Sequence, residues 1–527
     1  MKRAAIIGGG ISGLATAALL AREGYEVDLF EARDDVGGRA GSWESEGFRF
    51  DTGPSWYLMP EVFDHFYRLM GTTAAEQLDL TLLDPGYAVI FEPDAASSGS
   101  GERIEIAADR ATNVALFERL DPGAGAALES YLDSARETYE LAKERFLYST
   151  FADLRPVFSR GVVRRSGRLV RLLLQPLDKF VRSSFRDERI RRLLGYPAVF
   201  LGGSPFTVPS MYHLMSHLDL DDGVLYPQGG MYTIIESLER LAEAEGVTIH
   251  RGATVTEIVT KPIGTAKPSV LGVRFRTSDG VETMHAAGTV VAAADLHATE
   301  TKLLPEKLQS YPQKWWDKRQ AGPGAVLVYL GIRGGLPELP HHTLFFVDDW
   351  KGNFESIFGD HASIPDPASI YVCKPSATDS SVAPDGDENV FILVPVPPDP
   401  SIGRGGVDRT GSEQVERTAD AAIEQIARWA GIPDLADRIV VRRTLGPGDL
   451  EADLGAWQGS ALGPAHTLKQ SAFFRAGNVS SRLTGLYYAG GSTIPGIGLP
   501  MCLISAELVL KRIRGDVSAG PLPVPGE

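Results

Sequence analysis

The stretch AAIIGGGISGLATAALLAREGYEVDLFEA, Ala4–Ala32, decides the fold. A short apolar segment runs into Gly8-x-Gly10-x-x-Gly13. Leu14–Gly24 then carries apolar residues at helical spacing and stops on a glycine, and YEVDLFEA reads as a second strand that reaches Glu31. Strand, glycine turn, helix and strand make the βαβ setting that a dinucleotide fingerprint requires. Gly8 permits the tight turn, Gly10 lets backbone approach a pyrophosphate, and Gly13 lets the helix pack closely on the strand. The helix start offers unbonded N–H groups to phosphate. Glu31, eighteen residues beyond Gly13, is placed to accept both ribose hydroxyls of an adenosine. The run Ala4–Ala21 is charge-free and long enough for a targeting segment, but glycines, Ser12 and Thr16 interrupt it and the fingerprint explains it. The fingerprint alone leaves a nicotinamide and a flavin dinucleotide both open.

The next residues narrow the choice. EARDDVGGRAGSW places Gly37, Gly38 and Arg39 shortly after the ribose acid, which suits a loop folding back over the diphosphate with Arg39 as counter-charge. Phe48–Pro60, FRFDTGPSWYLMP, reads as a strand entering a turn with Asp51 and Gly53. Together, GGGISG, EARDDVGGRAG and FDTGPSW resemble the flavoprotein superfamily of amine oxidases and carotenoid desaturases. The resemblance implies bound FAD, an α/β fold with a discontinuous Rossmann-like domain of the glutathione-reductase type, and oxidation by hydride transfer to the flavin. It also implies cofactor contacts at Gly8, Gly10, Ile11, Ser12 and Gly13, at Glu31 and Ala32, at Gly38 and Arg39, and at Gly53, Pro54 and Ser55.

A second block, Leu225–Ile258, reads as a glycine turn, an amphipathic helix and two strands, followed by a hairpin with a D-G turn and a buried strand up to Asp295. The same superfamily returns to its nucleotide domain with this pattern, which adds Val255 to the implied contacts. Near the C-terminus, RLTGLYYAGGSTIPGIGLPMCLISAELVLKRI gives a strand (Gly485–Ala489), a glycine loop and a helix (Leu499–Ile513), a second helix start tolerant of anions. Its form resembles bacterial phytoene desaturases, with Ser492 in place of a usual glycine and Ile494 in place of a common histidine. That resemblance implies that Gly490, Gly491, Ile497, Gly498 and Leu499 hold the ribityl–phosphate portion and the pyrimidine edge of the ring. An amine oxidase would call for an aromatic cage beside the ring; Tyr487 and Tyr488 lie near it, but alternation on a strand lets only one point at it.

The expected organisation follows: an FAD domain of 1–71, 223–300 and 447–514; a substrate domain of 72–110 and 301–446 with an antiparallel sheet; and a helical insertion, 111–222. Residues 515–527 read as a disordered tail. Residues 143–192 hold fourteen Lys or Arg against five Asp or Glu, inside a chain of net charge −16. Arginines interleaved with Val, Leu and Phe, including Arg164, Arg165, Arg168 and Arg171, read as a lid facing an anionic membrane. The acidic surface as a whole repels nucleic acid. Two cysteines without pair spacing, Cys373 and Cys502, indicate a reducing cytoplasmic setting and no cysteine-based metal site.

The resemblance to phytoene desaturases implies desaturation of phytoene toward lycopene, on a long isoprenoid hydrocarbon that stays in a bilayer at about 0.8 kcal/mol per buried CH₂. An external acceptor, oxygen or a quinone, reoxidises the flavin. Alternatives are carotenoid isomerisation, another carotenoid desaturase acting on a diapophytoene or hydroxyneurosporene-type substrate, flavin amine oxidation, and a non-catalytic prenyl-lipid escort of the same fold. No catalytic base is identified; Tyr212, His213, His217 and Asp219 are candidates by position.

Overall fold

The five segments expected to form a nucleotide sheet come from across the chain and pair in parallel. The order is Leu486–Tyr488, Thr289–Ala292, Lys2–Ile7, Tyr25–Phe30, Thr248–His250. Strands covered on both faces read as continuous apolar runs, which is why Ala4–Ile7 carries no alternation. The structure is a computed structural model and describes residues 2–94, 99–153, 166–261 and 268–526.

The fingerprint helix, Ile11–Arg22, is buried over its first ten residues and packs against the C-terminal helix, Leu499–Arg514. Leu503, Ile504, Leu508 and Val509 lie in one core with Leu14, Ala18 and Leu29. Each buried Leu or Ile contributes about 1.5–3 kcal/mol, so this pairing fixes the two glycine loops relative to each other.

A second, seven-stranded sheet runs Ile439–Leu445, Gly324–Ile332, Glu388–Val396, Ile370–Cys373, His342–Phe346, Tyr87–Phe91, Arg103–Ile106. It is antiparallel except between Tyr87–Phe91 and His342–Phe346. The edge strand Arg103–Ile106 alternates exposed and buried, as a half-buried strand should. Helices Arg110–Leu120, Ala124–Ala142, Leu177–Arg182 and Glu188–Gly195 pack with this sheet's inner face in a common core. Among the described residues, no helix is long and apolar enough to cross a membrane.

The expected disordered tail is instead packed. Lys511, fully buried, donates to the carbonyls of Tyr148, Ser518 and Gly520, and the Leu522 N–H donates to the Glu507 carboxylate. A buried ammonium needs acceptors, and the tail supplies two of them. The basic stretch also differs from expectation. Arg168 pairs with Glu137, Arg182 with Asp178 and Glu188, Arg189 with Asp187 and Glu102, and Arg192 with Asp348. Arg168, Arg189 and Arg192 thus meet acids distant in sequence. Arg164 and Arg165 lie outside the described residues.

Candidate functional site

Two helix starts face one cavity. The fingerprint helix begins after Gly10 and the C-terminal helix after Gly498; neither has a side-chain cap, and neither carries an acidic residue in its first turn. Their free N–H groups and dipoles are left for an anion. Between them lies a cavity of about 1240 Å³. Gly8, Gly10, Ile11 and Ser12 form one wall of it, with Glu31 and Ala32 at the end of the second strand. Gly38 and Arg39 close over the fingerprint, and Gly53, Pro54 and Ser55 follow. Val255 borders the adenosine end, while Gly490, Gly491, Ile497, Gly498 and Leu499 form the opposite wall. Gly13 is buried beneath: a Cβ there would lie 1.9 Å from the Gly8 carbonyl oxygen.

The geometry of Glu31 and Arg39 fits FAD. The Glu31 carboxylate accepts from the Gly9 N–H at 2.6 Å and the Arg33 N–H at 3.0 Å, which orients it into the cavity. Arg39 Nε is buried without a hydrogen-bond partner among the described residues, an unused donor where a diphosphate would pass.

Sequence reading missed the residues that shape the C-terminal loop. Arg475 is buried and donates to the carbonyls of Gly491, Thr493, Pro464 and Gln470; burial lowers its pKa to about 10. Asn478 Nδ2 bonds the carbonyls of Tyr488 and Ile494 and the Ser505 hydroxyl. Only the fold shows that the Arg475 guanidinium gathers loop carbonyls. Ile494 packs in the central core.

Beyond the cradle the cavity continues between the seven-stranded sheet and the helical insertion. Val199, Phe200, Leu218, Leu344, Phe346 and Phe354 wall it. It opens between the helix Ser166–Leu174 and the turn Ala472–Phe474, where Val170, Leu173, Phe473 and Phe474 are exposed at the rim.

Neither tyrosine of the C-terminal strand, of which alternation allows only one to point at the ring, lines the cavity. Tyr488 is buried with its hydroxyl on Glu300, and Tyr487 packs against the central core. Strand alternation sends one to each face of a sheet covered on both sides. Of the four candidate bases, Tyr212 alone lines the cavity, and its hydroxyl is bonded to Ser471. His213 is bonded to the Ser134 hydroxyl and the Ser210 carbonyl, and burial lowers its pKa to about 4. His217 is tied to Asp221. Asp219 lies behind the wall, but Tyr196 connects it to the cavity. The Tyr196 hydroxyl donates to Asp219 Oδ2 at 3.3 Å and that of Tyr87 at 3.1 Å, whereas Oδ1 has no partner among the described residues. Burial, only partly offset by the two phenols, raises the Asp219 pKa to about 7.

A Rossmann-like cradle joined to an apolar tunnel defines a flavoenzyme, and comparison with known proteins agrees. Residues 11–513 match the model of the flavin containing amine oxidoreductase family, and the chain belongs to that family. It is 38% identical to a carotenoid 3,4-desaturase of Haloarcula japonica, over 97% of this chain and 98% of that one. It is 34% identical to a zeta-carotene-forming phytoene desaturase of Myxococcus xanthus, over 97% and 94%. An oxidoreductase from Methanosarcina mazei superposes with a TM-score of 0.61 at 16% identity, covering 97% of this chain and all of that one, which shows a shared fold.

Proposed function

We propose that this protein is an FAD-dependent carotenoid desaturase acting on a linear precursor, phytoene, in the direction of lycopene. One observation carries this reading: the cradle for the dinucleotide opens directly into a long apolar tunnel. Its volume of about 1240 Å³ exceeds the roughly 300–1,000 Å³ typical of a single-ligand pocket, as a cofactor and a hydrocarbon end to end require. Bound FAD supplies a two-electron oxidation by accepting hydride. The chain's own groups do the rest. The Leu499–Arg514 helix start favours negative charge at whatever it faces. The aromatic and aliphatic wall excludes water and recognises length and shape. The proton from the neighbouring carbon goes to the Tyr196 hydroxyl oxygen, whose own proton passes to Asp219 Oδ2. Reoxidation by oxygen or a quinone completes the cycle.

The same reading includes docking on a bilayer, from which such a substrate comes. Leu174, Phe473 and Phe474 are 68%, 54% and 49% exposed beside the tunnel mouth, and Arg171 sits on the same helix. Arg168 on that helix is paired with Glu137, and apolar insertion supplies the larger part of the attraction.

Expression in cells that accumulate phytoene, with pigment analysis, tests the reading. More unsaturated carotenes support it. Unchanged phytoene with FAD bound, together with conversion in lycopene-accumulating cells, would instead assign 3,4-desaturation. The higher identity to the Haloarcula relative favours that as the second reading.

A further inference from the structure

Three metal-ligating side chains meet behind the tunnel wall, outside the site described above. His342 and Cys373 are directly opposed on the antiparallel strands His342–Phe346 and Ile370–Cys373, so their side chains share one face. His341, one residue earlier, turns to the same point. One ligand atom from each of the three lies within 4.8 Å of the others, and all three residues are buried.

Each imidazole has one nitrogen held and the other bare. His341 Nδ1 is 2.8 Å from the Thr378 hydroxyl, and His342 Nδ1 is 2.8 Å from the Tyr371 hydroxyl. Nε2 of both rings is buried with no hydrogen-bond partner among the described residues. A ring oriented through one nitrogen with the other left free is the arrangement of a metal-bound histidine and its supporting partner. Two buried nitrogens without a partner are otherwise costly. The ring faces are fixed by packing: Trp56 stacks on His342 at 4.6 Å, and Tyr226 meets His341 edge-on at 4.5 Å. Next to Cys373 is a void of about 10 Å³ bordered also by Asp51, Ser55 and Tyr226, close to the room one water needs.

We propose that His341, His342 and Cys373 bind one zinc ion, with a water as the fourth ligand. Two imidazoles and one thiolate suit this borderline-soft cation. Ligands of a tetrahedral zinc stand roughly 3.4 Å apart, so closure from 4.8 Å by about 1.4 Å brings the three atoms to bonding distance. Binding forms the zinc–sulfur bond and releases the Cys373 thiol proton to solvent. The role is structural. Tyr371 lines the tunnel, holds His342 and bonds the Ser55 hydroxyl at 2.8 Å, so the ion would stiffen the wall that meets both cofactor and substrate.

Metal analysis of the flavin-loaded full-length protein tests this. The expected result is about one zinc per chain, and after exchange with cobalt a thiolate-to-cobalt charge-transfer band. Cys373→Ser should abolish the band and lower zinc content to roughly a tenth while flavin content stays the same. Wild-type protein that holds no zinc, shows no thermal shift with added zinc chloride and gives no cobalt band would overturn the proposal. Zinc retained in full by Cys373→Ser would overturn it as well. The wild-type measurements need no variant to fold.

Discussion

Gly13 and Asp219 show how single residues carry this structure. A Cβ at Gly13 would sit 1.9 Å from a backbone oxygen, and backbone cannot yield as a flexible side chain does. Gly13→Ala should therefore cost at least the roughly 1–3 kcal/mol of ordinary overpacking and open the fingerprint turn. The purified variant is expected to carry less than about a tenth of the wild-type flavin by absorbance, a loss of the size that 1.4 kcal/mol or more produces. Full flavin retention would contradict the close approach. Asp219 makes a prediction about pH. A carboxyl raised to about 7 is mostly protonated below that value and can accept a proton only above it. Turnover should thus rise with pH through about 7 and level off. Tyr196→Phe and Asp219→Asn should lower kcat by roughly 10²-fold or more with KM and flavin content little changed, and Asp219→Asn should flatten the profile. An unchanged profile in Asp219→Asn would remove it from the proton route.

At the scale of elements, what was legible depended on how local the signal was. The fingerprint, the D-G hairpin and the C-terminal strand–loop–helix were readable because each sits in one short window with its own turn chemistry. Arg475 and the Tyr196–Asp219 link were not, because their partners lie up to 23 residues away and are brought close only by packing. The zinc ligands illustrate the same limit: spacing in sequence argued against a cysteine site, whereas strand pairing puts Cys373 opposite His342. In the basic insertion local composition hides Glu102, Glu137 and Asp348, which pair with three of its arginines. The rim rather than the charge should therefore govern membrane contact. Replacing Leu174, Phe473 and Phe474 together by Ser removes about 1.5–3 kcal/mol per inserted side chain and should weaken liposome binding by roughly a hundredfold or more. Sedimentation equal to wild type would show that this rim does not touch lipid.

For the whole molecule, the account rests on continuity between two sheets. The parallel sheet presents two helix starts to one dinucleotide, and the antiparallel sheet with its helical cover extends the same cavity into apolar space. Packing of the fingerprint helix on the C-terminal helix holds the two ends of the chain around the cofactor, and the tail pinned by Lys511 and Glu507 covers the far end of that pair. Family membership and the desaturase relatives agree with this arrangement. The most direct test is an anaerobic half-reaction. Flavin-loaded protein is mixed with phytoene in liposomes while the visible flavin absorbance is followed and the carotenoid is analysed by mass spectrometry. The account predicts bleaching of the flavin in step with a product two hydrogens lighter. A flavin that stays oxidised, with phytoene and every further linear carotene tried left unchanged, would contradict it.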